Sequence, residues 1–233
     1  MDERLKMIEE LLKHPLGPDD VFKFRCKQCG GCCRDRNDIL LSPFDLCRIA
    51  KALDKTIPEV LSDYGHLYVG DTSKVPLISL KMRDDNGKCH FLREDNKCGI
   101  HSSKPAVCAL FPLGRSASKK DGKTEIFYIL QPTECGDRDE THTPREWMGE
   151  FNLEESEDWF FIWQGIVFEI SEHTRKLLPK LPESVVNEMM IGMANILYMR
   201  YHLDKPLPPQ VKENGILALK MLKMIEDMMR RVG

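Results

Sequence analysis

Apolar residues Leu5, Ile8, Leu11 and Leu12 recur at helical spacing and predict an amphipathic helix over residues 1–14. Pro15, Gly17 and Pro18 break it, and a loop follows to residue 36. Ile39, Leu40 and Leu41 predict a short strand. Ser42 followed by Pro43 reads as a cap and a first-turn proline, opening a helix through Leu53. Thr56 and Pro58 repeat that signal and predict a second helix ending near Gly65. Weak alternation over 75–82 predicts a strand, and Asp84-Asp85-Asn86-Gly87 predicts a hairpin turn into a returning strand at 89–92. One helical turn is expected at 104–108. Strands are expected at 110–115 and 125–130, joined by a polar linker at 116–123. Thr143-Pro144 opens another helix, and long helical patterns follow at 152–178, 183–203 and 216–231, punctuated by Pro179, Pro182 and the prolines at 206–209.

The pattern predicts an α+β fold class. A cysteine-rich half with short strands and helices (residues 1–140) is followed by a small α-helical bundle (residues 141–233). Trp147, Trp159, Phe160, Trp163 and Phe168 lie at helical spacing and are expected as core anchors. The 233 residues are 42% hydrophobic and 30% charged, enough apolar material for a core. The formal net charge of −3 gives no basic footprint, so no nucleic acid is expected as a partner. The charged N-terminal helix lacks the apolar core of a signal peptide, and the run MMIGMANILYM (189–199) is too short to span a bilayer. A cytoplasmic location without a membrane partner is therefore expected.

In a reducing compartment clustered thiols serve as metal ligands or redox groups rather than as disulfides, and an odd count of nine pairs poorly. Cys26, Cys29, Cys32 and Cys33 fall within eight residues. Cys26-x-x-Cys29 has the spacing of a metal knuckle, and Gly30 and Gly31 supply the positive φ that a tight wrap requires. Adjacent side chains diverge, so Cys32 and Cys33 are expected to serve two different ions, or only one of them to be a ligand. Cys89, Cys98, Cys108 and Cys135 bring the candidate metal ligands to eight, enough for two all-sulfur sites holding zinc or an iron–sulfur cluster (4Fe-4S). Cys26-x₂-Cys29-x₂-Cys32 matches the start of a bacterial ferredoxin run, but the usual Cys-Pro ending is missing. Cys47 lies in an apolar helix pattern and is expected as a buried small hydrophobe.

The run Phe24-x-Cys26-x-x-Cys29-Gly30-x-Cys32-Cys33-Arg34 resembles the YkgJ-type cysteine-cluster proteins, a family of proposed zinc- or iron-chelating domains related to flagellin lysine-N-methylase. So do ILLSPFDLCRIAKAL (39–53), Cys89-x-Phe91-Leu92, Cys98-x-Ile100, Pro105-x-x-Cys108-x-x-Phe111-Pro112 and Cys135-Gly136. The resemblance covers residues 22–138. It departs at His101, where the family commonly has an aromatic residue, and at Lys104 and Ala109, where arginine is common.

The resemblance implies a metal-binding protein with an iron–sulfur cluster or zinc, and on its methylase branch transfer of a methyl group to a protein lysine. No Gly-x-Gly-x-x-Gly loop of an ordinary methyl-donor fold follows a strand, and the Cys-x₃-Cys-x₂-Cys order of radical enzymes is absent. Arg34, beside the thiols, is a candidate for binding an anionic cofactor or substrate group. His90 and His101 flank cysteines as candidate bases or alternative ligands. Two other functions remain open. One is a zinc-stapled interaction module whose helical half, with Met221, Met224, Met228 and Met229, meets a protein partner or substrate. The other is an electron-transfer or metal-handling protein.

Overall fold

The computed structural model describes residues 10–120, 123–151, 153 and 155–232. In chain order they form β1 (Phe22–Arg25), β2 (Leu40–Leu41), α1 (Pro43–Leu53), α2 (Ile57–Tyr64), β3 (Gly65–Val69), β4 (Pro76–Leu80), α3 (Ala106–Leu110), β5 (Leu113–Lys120), β6 (Lys123–Leu130), β7 (Asp137–His142), α4 (Pro144–Gly149), α5 (Ser156–Leu177), α6 (Glu183–Ala194) and α7 (Leu207–Val232). The mixed α+β class is as expected. Most of the helix expected at 1–14 lies outside the described residues; Glu10 and Leu11 are helical. No described helix is long and apolar enough to cross a membrane.

The chain divides into two compact units, each assembled from two stretches: Met1–Ile39 with Met82–Phe161, and Leu40–Lys81 with Ile162–Gly233. Eight of the nine cysteines fall in the first unit. The change of composition near residue 140 coincides with the end of the cysteines but not with a unit boundary.

The first unit is built around a small aromatic core. Phe22 and Phe24 on β1, Leu110 on α3, Leu113 on β5, Tyr128 on β6 and Trp147 on α4 are all buried together. Trp147 stands edge-on to Phe24 with ring centres 5.8 Å apart, and its indole N–H donates to the Ala109 carbonyl at 3.2 Å. The expectation of a core anchor at Trp147 holds, and each such buried ring contributes about 1.5–3 kcal/mol or more. β1 pairs antiparallel with β7 across a bulge between Lys23 and Arg25, and β5 pairs with β6 along its whole length.

Three expectations for this unit need correction. The hairpin turn at 84–87 forms, with Arg83 N–H donating to the Lys88 carbonyl at 2.7 Å. The returning strand at 89–92 does not: it is reduced to single bridges, Met82 with Cys89 and Leu92 with Cys98, because the cysteine loops draw the chain away. The linker at 116–123 is largely strand, since Ser116, Ala117 and Ser118 continue the β5–β6 ladder. β7 was not anticipated. Its sequence, DRDETH, is held by pairing rather than by apolar alternation, and Arg25 bridges to Asp137 and Asp139.

The second unit joins an antiparallel sheet of order β2-β4-β3 to helices. Both cap-plus-proline signals act as expected. Ser42 and Asp45 form a reciprocal capping box on α1, and Thr56 and Glu59 form one on α2. Leu46, Cys47, Ile49, Met193, Leu197, Ala218 and Leu222 are fully or nearly fully buried. Trp163 meets Tyr198 edge-on at 5.4 Å, and the Tyr198 hydroxyl donates to the Pro76 carbonyl at 3.1 Å. β3 was missed at sequence level. The helix expected at 183–203 ends at Ala194 and passes into a π-helical turn, Asn195–Met199. α7 begins at Leu207, not 216, because Pro208 and Pro209 fit a first helical turn whose N–H groups have no partner in any case.

Candidate metal centre

The cysteine segment leaves β1 at Arg25 and turns sharply. The Cys26 thiol accepts from the Gln28 N–H at 3.4 Å. Gly30 then takes φ +71°, where a Cβ would press on the Leu92 side chain and the Asn96 carbonyl, and starts a 3₁₀ turn, Gly31–Cys33. The Cys33 carbonyl accepts from Cys89 N–H at 2.8 Å, which straps the 89–98 loop onto this turn. Cys98 bridges back to Leu92, and Cys108 sits on α3. Cys135 precedes Gly136, whose φ is +74°. A Cβ there would lie 2.4 Å from the Phe24 ring, so only glycine lets the chain pass β1.

The result is convergence. Cys29 and Cys135 are 106 residues apart in sequence, yet their Sγ atoms lie 2.9 Å apart. The Cys32 and Cys33 Sγ atoms lie 3.9 Å apart, against the expectation that adjacent thiols diverge; the 3₁₀ turn brings them to one side. Cys89 is buried and Cys32, Cys33, Cys98, Cys108 and Cys135 are partly so, while Cys26 and Cys29 are exposed. Cys47 lies in the other unit, fully buried in α1 as expected, and burial pushes its thiol up to about 12.

The thiols and two cations influence one another. A hydrogen bond from the Cys135 thiol, with the Gly31 N–H, pulls Cys29 below the ordinary thiol value. Burial first, and then the bond to Cys29, pushes Cys135 up to about 12. Cys32 is raised by its contact with Cys33 and by burial, while Lys104 and Arg36 oppose the rise. Burial raises Cys89 and Cys98. Lys104 is pulled down by burial, while Cys108, Cys26, Cys32 and Cys98 push it up. Its ammonium lies 3.8 Å from the centre of the Phe151 ring.

Arg36 was not singled out from the sequence, and Lys104 only as a position where the resembled family commonly has arginine; the fold brings the influence of both charges to the thiols. Arg34, the expected anion-binding residue, donates to the Asn96 side chain at 2.5 Å. His101 lies edge-on to Phe151 at 5.9 Å, and burial lowers its pKa. The His90 carbonyl accepts from Arg83 at 2.9 Å.

Residues 25–136 match the family model CxxCxxCC, "Putative zinc- or iron-chelating domain". Over these residues the chain is similar to CxxCxxCC domains. No curated protein and no solved structure matches the chain. The CxxCxxCC match encloses the eight candidate ligand cysteines and excludes the helices from α4 onward.

The donors fit zinc or iron by type, since thiolates are soft ligands preferred by both zinc and iron–sulfur centres. Two sulfurs on one tetrahedral zinc stand about 3.8 Å apart for a Zn–S bond of about 2.3 Å; the Cys32–Cys33 separation of 3.9 Å is close to this, and the Cys29–Cys135 separation of 2.9 Å is shorter. Among the described residues no three His, Cys, Asp or Glu side chains stand around a single point, so the thiols are gathered as pairs and not as a closed cage.

Proposed function

We propose that the CxxCxxCC domain holds zinc or iron through thiolates drawn from Cys26, Cys29, Cys32, Cys33, Cys89, Cys98, Cys108 and Cys135, and that this metal staples the first unit. The observation that carries the proposal is the Cys29–Cys135 pair, which ties the two ends of the domain together at 2.9 Å. The loops from 82 to 112 hold few strand hydrogen bonds of their own, so a ligand that cross-links them adds folding free energy directly, on the order of 10 kcal/mol for a structural zinc site. The 3.9 Å spacing of Cys32 and Cys33 suits two sulfurs on one ion better than two corners of a 4Fe-4S cluster, whose ligands are spread around a larger core. The methyl-transfer expectation rests on the resemblance alone. In the second unit Met224 and Met228 stand exposed on α7, the surface proposed for contact with a protein partner.

Protein purified without oxygen and analysed for metals tests the proposal. Colourless protein with stoichiometric zinc, or iron without the broad violet–blue absorption of a cluster, is the expected result. A brown protein with that band moves the assignment to an iron–sulfur cluster. Protein free of both metals overturns it.

A further inference from the structure

Backbone pairing brings the Cys29 and Cys135 sulfurs together without help from a metal. β1 and β7 run antiparallel with Arg25 opposite Asp137, so the residues that follow Arg25 meet those that precede Asp137. Asp137 bridges to Arg25 and to Lys27, each at 2.6 Å, which fixes that end of the ladder. The turn before β7 is pinned as well. The Cys135 N–H donates to the Thr133 hydroxyl at 3.0 Å, and Arg138 donates to the Thr133 carbonyl at 3.0 Å while lying over the Phe24 ring. Both sulfurs stand over Gly31, where a Cβ would lie 3.5 Å from the Cys29 Sγ and 3.9 Å from the Cys135 Sγ. Cys29 is exposed and Cys135 partly buried, both as free thiols.

Their separation of 2.9 Å is shorter than two sulfurs on one zinc adopt, and about 0.9 Å longer than a disulfide bond of about 2.05 Å. Cys32 and Cys33, at 3.9 Å, are farther from bonding. We propose that Cys29 and Cys135 form a dithiol redox site, oxidised to a disulfide by a low-molecular-weight disulfide such as oxidised glutathione. The exposed Cys29 sulfur attacks one sulfur of the oxidant and expels the other half as a thiol. The Cys135 sulfur then attacks the Cys29 sulfur and expels the second half. One S–S bond breaks and one forms; two electrons pass to the oxidant, and the two protons leave on the released thiols. The new bond joins residues 106 positions apart and constrains the unfolded chain, as a metal bridging them would. It also withdraws two candidate ligands from the metal. That consequence rests on the metal-centre reading above; the disulfide itself does not.

The test treats the full chain, purified reduced and without oxygen, with oxidised glutathione, once as purified and once with a chelator present. Cross-linked peptides are mapped by mass spectrometry, and released metal is read with a chromophoric indicator. The expected result is loss of one pair of thiols, with 29–135 the dominant linkage, reversed by dithiothreitol. The same oxidant acting on chain unfolded in guanidinium should show no such preference, because the fold supplies it. Linkage that appears only with chelator supports the inference and shows that bound metal shields the pair. Linkage with release of metal supports both readings, whereas linkage with metal fully retained supports the inference and removes these two cysteines from the ligand set. Linkage in protein that never held metal overturns the metal-centre reading alone. Cys29 joined mainly to another cysteine, or both sulfurs left free or carrying glutathione with and without chelator, overturns the inference and leaves the metal centre standing. An equal preference for 29–135 in the unfolded chain also overturns it.

Discussion

Replacing Cys29 with serine removes one member of the 2.9 Å thiol pair and substitutes a harder, poorer metal ligand. The expected outcome is loss of bound metal together with a lower thermal midpoint of the first unit, measured by elemental analysis and calorimetry. Cys47→Ser is the internal control. It leaves the metal content unchanged and costs about 1–3 kcal/mol, because a hydroxyl replaces a fully buried thiol that packs as a hydrophobe. The same thiol makes a pH prediction. Burial pushes Cys47 up to about 12 in the folded chain, whereas the unfolded chain releases that proton from about pH 8.5. The folded state therefore binds more protons above that pH. The stabilisation is complete below about pH 8.5 and is lost as pH rises towards about 12. Denaturant unfolding of metal-free protein between about pH 8 and about pH 10 should show a flatter decline for Cys47→Ala than for wild type. At this scale the thiols were legible because sulfur spacing is itself a chemical signal. The electrostatic influence of Lys104 and Arg36 on the thiols was not, because a lysine or arginine in sequence is ordinarily a solvated charge.

The elements whose boundaries were legible are those with local instructions. α1, α2 and α4 each begin with a hydroxyl cap, a proline and a reciprocating carboxylate, all within four residues. Ser42→Ala should cost about 1 kcal/mol, read from the thermal or denaturant midpoint. β7 was not legible, because its partner is distant in sequence and its residues are mostly charged; β3 was missed although its partner β4 follows after a short turn. β7 exposes most of its residues and faces β1, more than a hundred positions earlier. The turn that delivers Cys135 to β7 depends on Gly136. Gly136→Ala forces a methyl group against Phe24 at an unfavourable φ and should destabilise the domain by about 1–3 kcal/mol. Because the turn moves Cys135 with it, weaker metal retention in chelator should accompany the lost stability.

At the scale of the whole molecule, a single cut near residue 140 follows composition, while the compact units follow contacts and take two stretches of chain each. Only the fold shows that the 40–81 segment builds its core with residues from 162 onward; nothing in its composition pairs it with a distant helix. The second unit has its own buried core and carries none of the proposed ligands. Chelation under reducing conditions should therefore strip hydrogen-exchange protection from residues 22–39 and 82–142 and leave it in 43–64 and 183–232. Uniform loss across both units would show that the metal does not act locally. X-ray absorption at the edge of the bound metal tests the central claim most directly. It should show a first shell of sulfur alone at about 2.3 Å. A first shell of oxygen and nitrogen, or no bound metal in protein kept from oxygen, would contradict the account.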